Sequence, residues 1–251
     1  MTTEAQLESL CLEWFQDTGW SYLDSSDMSP DAAIPERTGY DQVVLKKRLV
    51  TAMARLNPQV PAEAIDDAAH IICTLDHPSL IQKNRAFHKL LLDGVRVEFA
   101  QEDKKVVEYV RVIDFHDWRA NDFLVASQFT VTGTKQPRRP DIVVFVNGLP
   151  LSVLELKNLG NAQVDLWDAY DQLQTYKEEI SDLFIYNQAL IATDGITARV
   201  GSLTATKEWF MPWKAISNEN DRPKLHYELE VLVRGFFDPE LFLCYIRFFV
   251  L

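Results

Sequence analysis

The chain has 251 residues, 47% hydrophobic and 25% charged, the composition of a globular protein large enough for one large domain or two small ones. Lys and Arg total 25 against 37 Asp and Glu, a net charge of −12. That balance excludes a protein that coats nucleic acid through its own basic surface, and leaves open a nucleic-acid enzyme held on its substrate by partners. No apolar run approaches the ~20 residues that span a bilayer, and the start Met1-Thr2-Thr3-Glu4 has no signal-peptide layout. Cys11, Cys73 and Cys244 are odd in number and far apart, which argues against a disulfide framework or a zinc knuckle. The expected compartment is a reducing cytoplasm, with no membrane partner.

The first hundred residues read as helices. Leu7, Leu10, Cys11, Trp14 and Phe15 recur at helical spacing, and Gly19 stops the run. After a polar stretch over 24–38, helical patterns resume over 40–56, 61–75 and 78–92. Pro58, Pro61 and Pro78 punctuate them near helix starts, where a missing N–H costs nothing. From Val95 the period changes to two. Val95, Val97 and Phe99 alternate with polar residues, Glu102-Asp103-Lys104 turns, and Val106 to Ile113 returns, the pattern of a hairpin.

A third strand is expected over Phe123 to Val131, broken by Gly133 and the run from Lys135 to Pro140. Two more, Asp141 to Val146 and Leu151 to Lys157, meet at Asn147-Gly148, a strong hairpin signal. Both are apolar on both faces, which places them in the middle of a sheet covered on each side. A helix over 163–178 follows, then a strand from Ala189 to Thr193, an extended stretch from Ala198 to Thr204, an aromatic segment from Trp209 to Trp213, and helical patterns near 224–234 and 238–249. The apolar end Phe248-Phe249-Val250-Leu251 predicts that a longer protein continues there or packs there. The expected division is a helical part over 1–92, whose first helix belongs with the core, a core of sheet and helices over 93–215, and C-terminal helices over 216–251.

The chemistry concentrates at Pro140-Asp141, thirteen residues, then Glu155-Leu156-Lys157. Glu155 and Lys157 are two apart on a strand and share a face. Asp141 starts the neighbouring strand. Two carboxylates and an ammonium on one face of a buried sheet are expensive as a purely structural arrangement. With Mg²⁺ the trio makes sense, because hard oxygens hold the ion while the lysine positions water and offsets charge on a phosphate. The plainer alternative is the solvated edge of a surface hairpin. On the following helix Gln172 and Tyr176 are four apart and share a face.

Register tests this. A two-residue Asn147-Gly148 loop pairs Val146 with Leu149 and sets Asp141 against Leu154, with Glu155 on the opposite face. A three-residue loop, or a bulge, sets Asp141 opposite Glu155. The chemistry demands the second arrangement.

These residues also resemble a known family. Arg138-Arg139-Pro140-Asp141-Ile142-Val143, Val146-Asn147-Gly148-Leu149-Pro150-Leu151, Leu154-Glu155-Leu156-Lys157-Asn158 and Gln172-Leu173-Gln174-Thr175-Tyr176 are similar to the N-terminal nuclease region of type I restriction endonuclease R subunits, within the PD-(D/E)xK superfamily. The likeness extends to Ser79–Arg85, Leu92–Val95, Ala198–Gly201 and Trp213-Lys214, essentially the whole chain. It implies an α/β, restriction-endonuclease-like core with a central mixed sheet flanked by helices. It places the catalytic acids on Asp141 and Glu155, the catalytic lysine on Lys157, and the supporting Gln-x-x-x-Tyr pair on Gln172 and Tyr176. In that superfamily an acid on the first core helix often completes the metal site. Glu4, Glu8 and Glu13 are the candidates, with Glu8 preferred.

The implied activity is that of a type I site-specific deoxyribonuclease, cutting double-stranded DNA with Mg²⁺ at non-specific sites once an ATP-driven motor has translocated. The implied partners are that helicase-like motor, C-terminal to this chain, and the methyltransferase and specificity subunits. No Gly-Lys-Ser/Thr phosphate loop occurs here, so ATP belongs to the motor alone. The competing readings are a stand-alone repair nuclease of the same fold and a silent docking domain.

Other residues carry weaker signals. Lys135, Arg138 and Arg139 precede Asp141 and either grip a phosphate or solubilise a turn. The aromatic segment either stacks on bases or packs. His70, His77 and His116 lack metal-ligand spacing. Asp165, Asp168 and Asp171 read as a solvated stripe.

Overall fold

The computed structural model describes residues 3–102, 104–157, 165–218 and 227–250. It opens with α1 (Glu4–Asp17), closed at its start by a Thr3–Gln6 capping box. β1 (Ser21–Asp24) and the short α2 (Ser25–Met28) follow, then α3 (Lys46–Leu56), α4 (Ala62–Cys73) and α5 (Leu80–Asp93). β2 (Val95–Gln101) and β3 (Lys104–Val110) form a two-stranded hairpin of their own. Next come β4 (Phe123–Ser127), β5 (Ile142–Val146), β6 (Leu149–Leu156), α6 (Leu166–Glu179), α7 (Ser181–Phe184), β7 (Ala189–Thr193) and β8 (Ala198–Gly201). The last part runs through α8 (Glu228–Val231), a π-helical turn (Leu232–Phe236) and α9 (Pro239–Phe248).

The main sheet has six strands in the order β1-β4-β5-β6-β7-β8. β1 lies parallel to β4 and β6 parallel to β7, while the other neighbours are antiparallel. α6 packs on β6 and β7, and α1 packs on β1, β4, β6 and the π-helical turn. Every residue of β4, β5, β6 and β7 is buried, as their unbroken apolar runs require. Each large apolar side chain removed from water there contributes ~1.5–3 kcal/mol. The architecture is therefore the expected α/β class, a mixed sheet flanked by helices, with helices also N-terminal to it. Among the described residues no helix is long and apolar enough to cross a membrane, and the three cysteines are free.

The central hairpin answers the register question. Asn147 and Gly148 both take positive φ, 51° and 80°, the two-residue turn that matches strand twist. Val146 pairs with Leu149 and Phe145 with Pro150, but beyond a shift between Val144 and Phe145 the pairs become Val144–Ser152, Val143–Val153 and Ile142–Leu154. Leu151 is the extra residue. Of the two devices that could bring Asp141 opposite Glu155, the protein uses the bulge.

Several boundaries differ from the sequence pattern. β1 has too little alternation to announce itself, and exists because it pairs in parallel with β4. β4 stops at Ser127 because Gln128 turns to a φ of 52°. α3 starts at Lys46, since the buried Val43, Val44 and Leu45 are not helical and the Leu45 N–H donates to the Gly148 carbonyl at 2.9 Å. β3 ends at Val110 and β8 at Gly201. Asp103 of the expected turn, Asn158, residues 163–164 of the expected helix and residues 224–226 lie outside the described residues.

Candidate active site

At one end of the sheet the first residue before β5 and the last residues of β6 meet. Asp141 is 7% exposed and Glu155 1% exposed, so two carboxylates are held away from water. The Asp141 carboxylate accepts the backbone N–H of Leu156 at 2.8 Å, which ties the two strand ends together. Lys157 places its ammonium 2.7 Å from Glu155 Oε1 and donates to Gln172 Oε1 at 2.5 Å. Gln172 in turn donates to the Tyr176 hydroxyl at 2.5 Å. The strand and helix spacings thus converge: Asp141, Glu155, Lys157, Gln172 and Tyr176 form one connected cluster.

Electrostatics follow from burial. Desolvation, and then the charge of Asp141, push the Glu155 carboxyl up to about 8, against the pull of Lys157. Desolvation also raises Asp141, partly offset by the Leu156 N–H. Burial and then the charge of Glu155 push the Tyr176 phenol up. Glu155 Oε2 is buried with no hydrogen-bond partner among the described residues. A desolvated anion with an idle oxygen is costly unless a cation meets it.

Glu8, on α1, reaches the same place. It is half-buried, whereas Glu4 and Glu13 are exposed. Gln128 Nε2 donates to Glu8 Oε2 at 2.7 Å and lies 3.2 Å from Asp141 Oδ1, linking the two acids. Among the described residues no three His, Cys, Asp or Glu side chains form a ready metal cage. What the structure offers is two buried carboxylates, a third acid joined through an amide, and one unpartnered oxygen. This all-oxygen donor set fits a hard divalent cation such as Mg²⁺.

The sequence matches the family described as type I restriction enzyme R protein N terminus over residues 1–209. The chain belongs to that family. It is 42% identical over 254 residues to the type I restriction enzyme HindI endonuclease subunit of Haemophilus influenzae, covering 100% of this chain and 24% of that subunit. It is 26% identical over 174 residues to the type I restriction enzyme SauMSSORF170P endonuclease subunit of Staphylococcus aureus, covering 65% of this chain and 18% of that one. The chain thus spans about a quarter of the HindI relative's length, and less of the other.

The remaining candidates of this R protein N-terminal region fall around the cluster. Arg138 ion-pairs with Glu179, one turn along α6 from Tyr176, and Lys135 lies 4.0 Å from the same carboxylate. Arg139 is exposed. The aromatic segment splits: Phe210 is buried and Trp213 packs against Phe236, while Trp209 and Met211 face outward. Asp165 and Asp168 make the capping box of α6 and Asp171 pairs with Lys207, so the acidic stripe has local structural tasks. Gln128 and the Leu156 N–H were not visible in the sequence. A lone glutamine near a strand end carries no spacing signal, and a backbone donor carries none at all.

Proposed function

We propose that this chain is the DNA-cleaving part of a type I restriction enzyme R subunit, a type I site-specific deoxyribonuclease. It hydrolyses phosphodiester bonds of double-stranded DNA with Mg²⁺, at non-specific sites, after translocation by an ATP-driven motor C-terminal to it. Sequence recognition then lies with the specificity and methyltransferase subunits. The observation that carries the reading is the buried Asp141–Glu155–Lys157 cluster with its idle Glu155 oxygen. A silent docking domain has no use for two desolvated carboxylates, and replacing them with apolar residues would stabilise it. A stand-alone repair nuclease fits the site equally, but the R-protein family match favours the assembly.

Asp141 and Glu155 would hold the cation. Bound there, Mg²⁺ supplies Lewis-acid polarisation of the phosphate and a more acidic water. The residues of the chain do the rest. The Leu156 N–H and Gln128 fix the Asp141 carboxylate, and Gln172 fixes the Lys157 ammonium beside Glu155. Lys157 orients the attacking water and offsets charge that grows on the phosphate oxygens. Tyr176 holds Gln172, so the pair on α6 supports the lysine from behind.

The test uses the assembled enzyme. Asp141→Ala or Glu155→Ala should abolish DNA cutting, a loss of several kcal/mol of transition-state stabilisation, while ATP hydrolysis persists. Cutting at the wild-type rate by either variant overturns the proposal.

A further inference from the structure

Three non-glycine residues among those described take positive φ: Glu102, Gln128 and Asn147. Glu102 lies between β2 and β3, and Asn147 lies in the turn between β5 and β6, where such angles are ordinary. Gln128 does not belong to a hairpin turn. It follows the last residue of the buried β4, beside the acids, and glutamine has none of asparagine's tolerance for that conformation. Backbone outliers persist where the surroundings over-determine them, and they gather at functional sites.

The surroundings here are specific. The Gln128 backbone N–H donates to the Asp141 carbonyl at 2.7 Å, which fixes its turn against the start of β5. The turn delivers one amide nitrogen to two carboxylates, 2.7 Å from Glu8 Oε2 and 3.2 Å from Asp141 Oδ1. A primary amide has two hydrogens, one for each acid. Without that donor two anions from different elements would face each other, and Glu8, half-buried on α1, would swing to solvent. A lysine in the same place would neutralise them and compete with a cation, and a carboxylate would repel both. An amide aligns the acids and leaves their charge intact.

We propose that Gln128 is a positioning residue that presets Glu8 and Asp141 to receive the divalent cation. Glu8 thereby belongs to the same site as Asp141, held at its distance by the Gln128 amide. This rests on the nuclease reading above. Gln128 acts through the two carboxylates.

The alternative is a plain structural tie between α1 and the sheet, and Gln128→Asn separates the two. Asparagine accepts the left-handed backbone more readily than glutamine, so the fold keeps its turn, but a side chain one methylene shorter cannot reach both acids. Mn²⁺ serves as the probe, titrated by electron paramagnetic resonance into the nucleotide-free full-length R subunit, with Asp141→Ala defining which binding belongs to this site. Gln128→Asn should weaken that binding fivefold or more, with a thermal midpoint at or above wild type, and should slow cutting in the complex. Gln128→Ala, read below its own melting point, should weaken binding similarly. A change of less than fivefold in Gln128→Asn overturns the inference. If Asp141→Ala itself retains all Mn²⁺ binding and cuts normally, the nuclease reading falls and takes this one with it. If Asp141→Ala loses both while Gln128→Asn keeps both, only the role of Gln128 is refuted.

Discussion

Burial sets Glu155 against itself, and the consequence is a stability that depends on pH. Its carboxyl rises from an ordinary 4.5 to about 8, with desolvation as the larger cause and the Asp141 charge as the next. The folded state therefore binds that proton more tightly than the unfolded chain does. Its contribution to stability is full below about 4.5 and is lost as pH rises through 8. Glu155→Gln should remove this slope, stabilising the metal-free protein at pH 8 by roughly 3–5 kcal/mol, since each pKa unit is worth ~1.4 kcal/mol, while leaving it nearly unchanged at pH 4.5. Urea melts at the two pH values decide it, and an equal shift at both would refute the electrostatic account. Lys157→Met tests the other member of the pair. It removes a cation 2.7 Å from Glu155, so divalent-ion binding should hold or tighten while cutting drops about 10²-fold or more. Weaker ion binding with undiminished cutting would reverse the assigned roles. At this scale the sequence was legible where members of the cluster lie along one strand or helix: Glu155 with Lys157, and Gln172 with Tyr176. Gln128 was not, because its contacts cross 13 residues to Asp141 and 120 to Glu8, and only the closed fold brings those ends together.

The element that matters most is the β5–β6 hairpin, since its register decides which face Glu155 occupies. Two features fix it: the Asn147-Gly148 turn and the Leu151 bulge. Asn147 is fully buried, donating to the Val112 carbonyl at 2.9 Å and accepting from the Asp122 N–H at 2.7 Å, which locks the turn to the preceding connection. Gly148 has a φ of 80°, and a Cβ there would lie 2.5 Å from the Leu45 carbonyl oxygen. Gly148→Ala should therefore destabilise the protein by roughly 2 kcal/mol or more, combining left-handed strain with the displacement of the segment before α3. Chemical denaturation of the variant measures this, and a change under about 0.5 kcal/mol would show that the turn does not hold the register. The turn and both strands were readable from Asn-Gly between dense apolar runs. That a bulge rather than a longer loop solves the register was not, because both satisfy the same residue spacing. β1 escaped for a related reason: four residues gain strand geometry only from a parallel neighbour about a hundred positions away.

At the scale of the whole molecule, charge opposes the proposed chemistry. DNA binding draws most of its non-specific strength from counterions released when cations neutralise phosphates, yet this chain carries a net charge of −12. Three cations of the site region are already engaged, Arg138 and Lys135 with Glu179 and Lys157 with Glu155, which leaves the exposed Arg139 to meet a phosphate. One continuous core runs from Leu7 to Ile246, so residues 1–251 should fold alone and can be assayed alone. The fragment should bind linear duplex more weakly than about 10⁻⁵ M at near-physiological salt, with a shallow salt slope because few phosphates are neutralised. With Mg²⁺ it should cut nothing under those conditions, and cutting should return inside the complete complex or at very high protein concentration. Dependence on partners is what a chain spanning 24% of the HindI relative's length would show if the rest of the subunit holds the DNA. Fluorescence anisotropy against labelled duplex, repeated across salt concentrations and paired with a cleavage assay, measures both halves. Sub-micromolar, salt-resistant binding with efficient cutting by the isolated chain would overturn that dependence and make the stand-alone nuclease the better reading.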